Sequence, residues 1–476
     1  MQERNATRQT IGIVGGGFTG GAVALHLARA IGKRHGVEIV VFEPRALLGA
    51  GLAYDTTESV HRINVPAGRM SLFAKEPDHF INWVTERDAL RDDSDAFDRG
   101  GVPYPRRQLF GQYVAAHIEP WIGKGAIRHV RSRVVDVVRD ARGWTVVDDA
   151  GVRTDVDLLV LAATHPSPGL PRPLLALKGA AGLISDPTLP DALSRVESDD
   201  RVLIVGNGLT AADVIAALAR RGHRGNILSI SRRGLRSKGH APQAHDPFGV
   251  FSDPQPRHAS ELLHRVRLAV TEAEAQGKTW HCVLDAVRAQ AQDLWKGLST
   301  AERRRIVRHI RPFWDVHRFR IAPQVENAVE TAIAEGRLQV LAASVVGARQ
   351  DGEDLVVTLK RRRSTGIETF RFDKVIVTTG PDHGSVVDSQ PFLKSLADQH
   401  AIEACPTGLG IHCDLQGRAI TDSGQISQDI FVAGPLARGT FGELMGLPQV
   451  SEYAEFIAER VAERLGAALI KVSAAV

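Results

Sequence analysis

Two short glycine clusters carry the most specific chemistry in this chain. Gly15, Gly17 and Gly20 follow an apolar run and open a helical pattern that begins with Phe18 and Thr19. Gly206, Gly208 and Ala211 repeat the arrangement later, with Leu209 and Thr210 at the start of the next helical pattern. In a G-x-G-x-x-G/A turn the first glycine permits the tight bend and the second lets a pyrophosphate approach the backbone. The third position packs helix on strand, and the helix N-terminus stabilises the anion. Each turn is therefore suited to a dinucleotide. The strand after the first turn ends in Glu43-Pro44, whose carboxylate can accept hydrogen bonds from ribose hydroxyls. The strand after the second ends in Ser231-Arg232-Arg233. Guanidinium groups there can pair with a 2′-phosphate that a carboxylate would repel, which favours NADPH over NADH; the alternative is a pair of solvated strand-end arginines.

The elements that must position these residues read as two βαβ units. Residues 10–14, the glycine turn, a helical pattern and the β-branched run 37–42 form the first. Residues 201–205, the second turn, a helix over 210–221 and a strand over 227–231 form the second. Between them lie a mixed stretch with a helix near 109–121, a strand-rich meander over 127–161 and a proline-rich linker, 166–173. Polar residues with 3.6-type periodicity over 258–335 predict a helical insertion, strands return over 338–377 and 428–433, and a helix over 449–465 closes the chain. The fold class expected is α/β, with two Rossmann-like dinucleotide-binding domains. One spans 1–165 plus 380–476; the other spans 166–379 and carries a helical insertion at about 236–335. The active site is expected in the crevice between them, at the carboxyl ends of the strands.

Composition narrows the function. The 476 residues are 43% hydrophobic and 24% charged, an ordinary globular balance. The net charge of +4 is spread out, and its densest run, Lys360 to Arg363, suits a solvated hairpin tip better than a nucleic-acid surface. Cys282, Cys405 and Cys413 form no C-x-x-C pair, so neither a disulfide reductase, a zinc ribbon nor any other metal site is indicated. The polar N-terminus lacks a signal-peptide core, and no apolar run is long enough to span a bilayer. The expectation is a cytoplasmic protein acting on a small molecule, of undetermined oligomeric state.

Several segments resemble known flavoproteins. Glu43-Pro44 with the 48–54 segment, which contains Gly51, is similar to the FAD-binding loop of two-dinucleotide-fold flavoproteins. Residues 158–164 and 375–380, the latter ending in Gly380, resemble their paired strand-end motifs. Residues 430–434 with Pro435 resemble their last FAD motif. The resemblance implies FAD on the first unit, through Gly434 and Pro435 among others, and NAD(P)H on the second. More narrowly, residues 61–71, 231–235 and 311–318 resemble a bacterial family of FAD-NAD(P)-binding flavin monooxygenases, whose members include an FAD-dependent urate hydroxylase and an aspartate N-monooxygenase.

That resemblance implies oxygen insertion through a C4a-hydroperoxyflavin, using FAD, NADPH and O2, on a small polar or anionic substrate such as urate or the amine of aspartate. The alternative is an NAD(P)H oxidase or reductase without oxygen insertion. Asn64 falls where related monooxygenases place an asparagine beside the flavin; it also suits a turn cap before Val65-Pro66. Arg62 and Arg69 flank it as candidate substrate contacts. In 311–320, Arg311, Asp315 and Arg318 share one helical face with Trp314 beside it, and His317 and Arg320 lie close by. These residues form either an anion-binding wall over the flavin or a surface helix laced with ion pairs. His240 and His317 are the candidate proton donors or acceptors.

Overall fold

A computed structural model describes residues 9–32, 36–141, 143–164, 168–380 and 386–473. Two parallel-centred sheets form its frame. The first runs in the order Arg418–Ile420, Ile426–Val432, Leu158–Leu161, Gln9–Val14, Val37–Phe42, Ile127–Val130. Its centre is parallel, with Ile11 opposite both Ile39 and Leu158. These strands are continuous apolar runs because both faces are covered, one by helices and the other by an antiparallel sheet that includes Arg153–Val156. The Phe18–Ile31 helix packs between this sheet and the long Gln449–Ser473 helix.

The second sheet runs Ile367–Phe372, Asp354–Arg361, Leu338–Asp351, Ile227–Ser231, Val202–Val205, Lys374–Val377, Leu183–Ile184. Its centre is parallel and its far edge is an antiparallel meander. The strands of the first sheet come from both ends of the chain, and those of the second from its middle. A separate antiparallel sheet, Val134–Asp140, Gly143–Asp148 and Arg153–Val156, occupies the expected meander. The expected linker lies partly in 165–167, outside the described residues.

The helical region begins at Ala259–Ala275. Its last helix, Pro323–Ala334, joins Ile227–Ser231 to the parallel Leu338–Asp351 strand and packs on Leu209–Arg220. That helix is a crossover of the second sheet. The appended part therefore ends before it rather than at about 335, because a parallel pair needs a covering connection. Among the described residues no helix is long and apolar enough to cross a membrane, and no group of three or more potential metal ligands occurs.

Candidate active site

The first glycine turn is closed by its neighbours. Gly15 has φ +97°, and a Cβ there would lie 2.6 Å from the Ala162 carbonyl oxygen. At Gly20 a Cβ would collide with the Gly15 carbonyl, so the helix sits directly on the bend. Gly17 caps the Phe18–Ile31 helix with no side-chain hydrogen bond and no acidic residue in the first turn. This leaves the N-terminal N–H groups for an anion, and the turn fits a dinucleotide pyrophosphate. Thr19 is buried against Gly434, where a Cβ would come within 2.5 Å of the Thr19 hydroxyl oxygen, so Gly434-Pro435 reaches the same turn. Phe18 stacks on Phe110, and Gly51 backs onto Gly17. Glu43 is buried; it accepts from the Gly16 N–H at 3.0 Å, and from the Arg45 N–H and guanidinium at 3.1 Å each.

The second turn has the same skeleton in a more open setting. Gly206 has φ +127°, and a Cβ would strike Thr378. Gly208 caps Leu209–Arg220, again with no side-chain cap and no acid in the first turn, and a Cβ there would meet nothing within 4 Å. Leu209 and Thr210 open this helix half-buried. In place of a carboxylate, buried Asn207 accepts from the Ser229 hydroxyl at 2.5 Å and donates to the Ser231 hydroxyl at 3.2 Å. Arg232 is exposed, and the Arg233 guanidinium lies 4.9 Å from the Phe313 ring centre. Gly380 has φ +77°, and a Cβ there would meet nothing within 4 Å among the described residues.

The loop around Asn64 joins the sheets to the helical region. The Asn64 side-chain oxygen accepts from the Ala322 N–H at 3.2 Å, and its carbonyl lies 3.0 Å from His240 Nε2. A carbonyl only accepts, so Nε2 carries the proton and Nδ1 is the acceptor nitrogen. Burial lowers the His240 pKa to about 4, and Arg320, His281 and Arg69 push the same way. His240 is thus neutral at pH 7, which removes it as a proton donor in the imidazolium form. Arg69 is exposed. Arg62 is buried with both terminal nitrogens on Asp93, at 2.5 and 2.7 Å, so its guanidinium is already engaged by the protein. Sequence reading did not single out its neighbour Arg107, which makes a bidentate pair with Asp213 of the Leu209–Arg220 helix at 2.8 and 3.0 Å. Arg107 also donates to the Arg62 carbonyl at 2.7 Å, which ties the Asn64 loop to the second glycine helix.

The Arg311–Arg318 helix is neither wholly a surface element nor a wall of free arginines. Arg311 pairs with Asp315 at 3.2 Å, as the i, i+4 spacing predicts. Arg318 instead pairs with Glu443 at 2.8 Å, and Arg320 with Asp285 at 2.7 Å. The His317 Nδ1 lies 2.7 Å from the Phe313 carbonyl, and the ring packs edge-on against Trp280. Trp314 and His317 line a cavity of about 440 Å³ between the helical region and the segment after Gly434. Arg438, missed in the sequence, also lines it. It is 5% exposed, and its Nε and Nη1 have no partner among the described residues. A lone arginine in a glycine-rich run shares no periodic face with the other candidates, so the sequence carried no signal for it.

Residues 12–166 match the model of a family described as FAD-NAD(P)-binding. No curated protein matches the chain by sequence. Among solved structures, ornithine hydroxylase from Pseudomonas aeruginosa aligns over 97% of this chain and 100% of its own, with 17% identity and a TM-score of 0.66. An ornithine N-hydroxylase from Kutzneria sp. 744, in complex with reduced FAD, NADP+ and L-ornithine, aligns over 96% and 99%, with 16% identity and a TM-score of 0.63. L-lysine 6-monooxygenase from Pseudomonas syringae aligns over 98% and 99%, with 19% identity and a TM-score of 0.62. The chain thus has a two-dinucleotide flavoprotein fold. More narrowly, that fold is shared along nearly its whole length with flavin N-hydroxylases.

Proposed function

We propose that this protein is an FAD-dependent, NADPH-consuming monooxygenase acting on a small molecule. The observation that carries the reading is the pair of uncapped helix N-termini, each behind a glycine bend, in one chain. When bound, the two dinucleotides supply hydride transfer and activation of O2, while the protein positions them and excludes water. FAD is assigned to the closed turn, with Gly15, Gly17, Phe18, Thr19 and Gly20 at the pyrophosphate, Glu43 and Pro44 toward the ribose, and Gly51, Gly434 and Pro435 around them. NADPH is assigned to Gly206, Gly208, Leu209 and Thr210, with Arg232 and Arg233 toward the 2′-phosphate and Gly380 beside the turn.

Asn64 acts at the junction, with its side-chain oxygen on the Ala322 N–H and its backbone carbonyl on His240. His240 acts beside it as a neutral hydrogen-bonding group. Arg69, Trp314, Arg318 and Arg320 remain the candidate substrate surroundings, and His317 the other candidate proton donor or acceptor. The finer readings, urate or the amine of an amino acid such as aspartate, head a substrate screen that also includes less polar carboxylates. The test is NADPH consumption in air with candidate substrates, following product mass and peroxide together. A monooxygenase gives substrate-dependent consumption and a gain of one oxygen atom in the product. Peroxide equal to the NADPH consumed with every substrate would instead establish an oxidase.

A further inference from the structure

We propose that the cavity beside the Gly434–Ala437 turn binds a small amphiphilic monocarboxylate, with an apolar body inside and the carboxylate on Arg438. Binding stands on the cavity alone; that the bound molecule is the substrate rests on the monooxygenase reading.

The cavity is about 440 Å³, and its walls include Leu262, Val266, Leu284, Ile310 and Trp314. Such a lining rewards apolar surface and offers little to a ligand whose edges are all polar. Urate or aspartate would lose hydration there without replacement hydrogen bonds. The charged end is different. Arg311 is taken up by Asp315 and Arg318 by Glu443, while Arg438 stays buried with two nitrogens unpartnered. Arg438 is therefore the arginine of this group with no carboxylate hydrogen-bonded to its Nε or Nη1 among the described residues. His317 and the exposed Glu274 are the other titratable groups on the lining.

Burial pulls the Arg438 pKa down to about 10, which still leaves it charged at neutral pH. A buried guanidinium with unmade hydrogen bonds is costly, and a planar monoanion supplies both a close negative charge and the missing acceptors. The two unpartnered nitrogens of a single guanidinium match the two oxygens of one carboxylate, which favours a carboxylate over a phosphate dianion. Arg438 opens the short Arg438–Phe441 helix directly after Gly434–Ala437, so the charged end is the end toward the turn assigned to FAD.

The experiment is calorimetric titration of the purified flavoprotein, without NADPH, with decanoate, decanol, urate and aspartate. Tryptophan fluorescence gives a second readout, since Trp280, Trp295 and Trp314 line the cavity. Decanoate is expected to bind at least about tenfold more tightly than decanol, and urate and aspartate are expected to leave decanoate binding unchanged because they do not enter this cavity. Arg438→Gln is expected to bring decanoate to the level of decanol, Arg438→Lys to recover part of the difference, and Val266→Trp to abolish binding of both by filling the space. Equal affinity for acid and alcohol, absence of decanoate binding, or binding that Val266→Trp leaves intact would each overturn the proposal. Should Arg438→Gln fail to fold, the acid–alcohol comparison on the unaltered protein and the Val266→Trp variant decide the matter. Because no turnover is involved, decanoate binding without oxygenation would count against the monooxygenase reading alone. Oxygenation of a polar substrate without decanoate binding would count against this site alone.

Discussion

The two glycine turns share a skeleton and differ in how tightly the protein closes around them. At the first, added Cβ atoms at Gly15, Gly16 and Gly20 would all meet other atoms at van der Waals overlap, and the acidic group beside it is buried and hydrogen-bonded. At the second, Gly206 is as closely backed by Thr378, but Gly208 faces open space among the described residues and Arg232 is exposed. The difference matches a cofactor that stays and a cofactor that exchanges. A retained flavin gains from a closed, preorganised cradle, whereas a nicotinamide that must leave after each turnover needs an open one.

The strongest way to break that comparison is Gly15→Val. Positive φ and the approach of Ala162 disfavour any side chain there, the φ term alone costing about 1–3 kcal/mol. The expected outcome is protein without flavin colour and with a lowered Tm. Next comes Asp213→Leu, which leaves the Arg107 guanidinium half of a broken, largely buried pair. A loss of about 3 kcal/mol in chemical unfolding is expected, with NADPH use impaired more than FAD retention. Gly208→Val, in open space at an ordinary φ, should leave the fold and the flavin intact while weakening NADPH about tenfold or more by blocking the approach of its phosphates. If Gly208→Val also expels FAD, the two turns are not independent sites. Replacing Arg232 and Arg233 by alanine should raise KM for NADPH several-fold and leave NADH nearly unchanged, and equal losses would remove the 2′-phosphate argument.

The smallest effect concerns pH. The folded pKa of His240, at about 4, lies below the 6.5 of a free histidine. Between those values the unfolded chain binds more protons, so this group's stabilising contribution is complete above pH 6.5 and is lost as pH falls toward 4. His240→Gln should flatten the pH dependence of urea unfolding in that window. An unchanged slope would show that the imidazole is not held neutral by burial.

Much of this frame was legible in the residues. Strands such as Val37–Phe42 are buried on both faces, so their apolar character is continuous, and glycine turns have fixed spacing because backbone sterics demand it. The i, i+4 pair of Arg311 and Asp315 was readable for the same local reason. Partners set by tertiary packing were not. Arg318 finds Glu443 125 positions away, Arg62 finds Asp93, and the Nε and Nη1 of Arg438 find no hydrogen-bond partner among the described residues. The Pro323–Ala334 crossover helix was grouped with the polar helices before it, because periodicity reports that a helix exists and not which sheet it covers.

The central claim is that one chain holds FAD on its first turn and NADPH on its second, close enough to exchange hydride. Anaerobic titration of the purified protein with NADPH, followed by flavin absorbance, tests it most directly. The account predicts a yellow protein whose absorbance bleaches stoichiometrically with added NADPH. A protein that stays colourless after incubation with FAD, or a bound flavin that NADPH leaves oxidised, would contradict it.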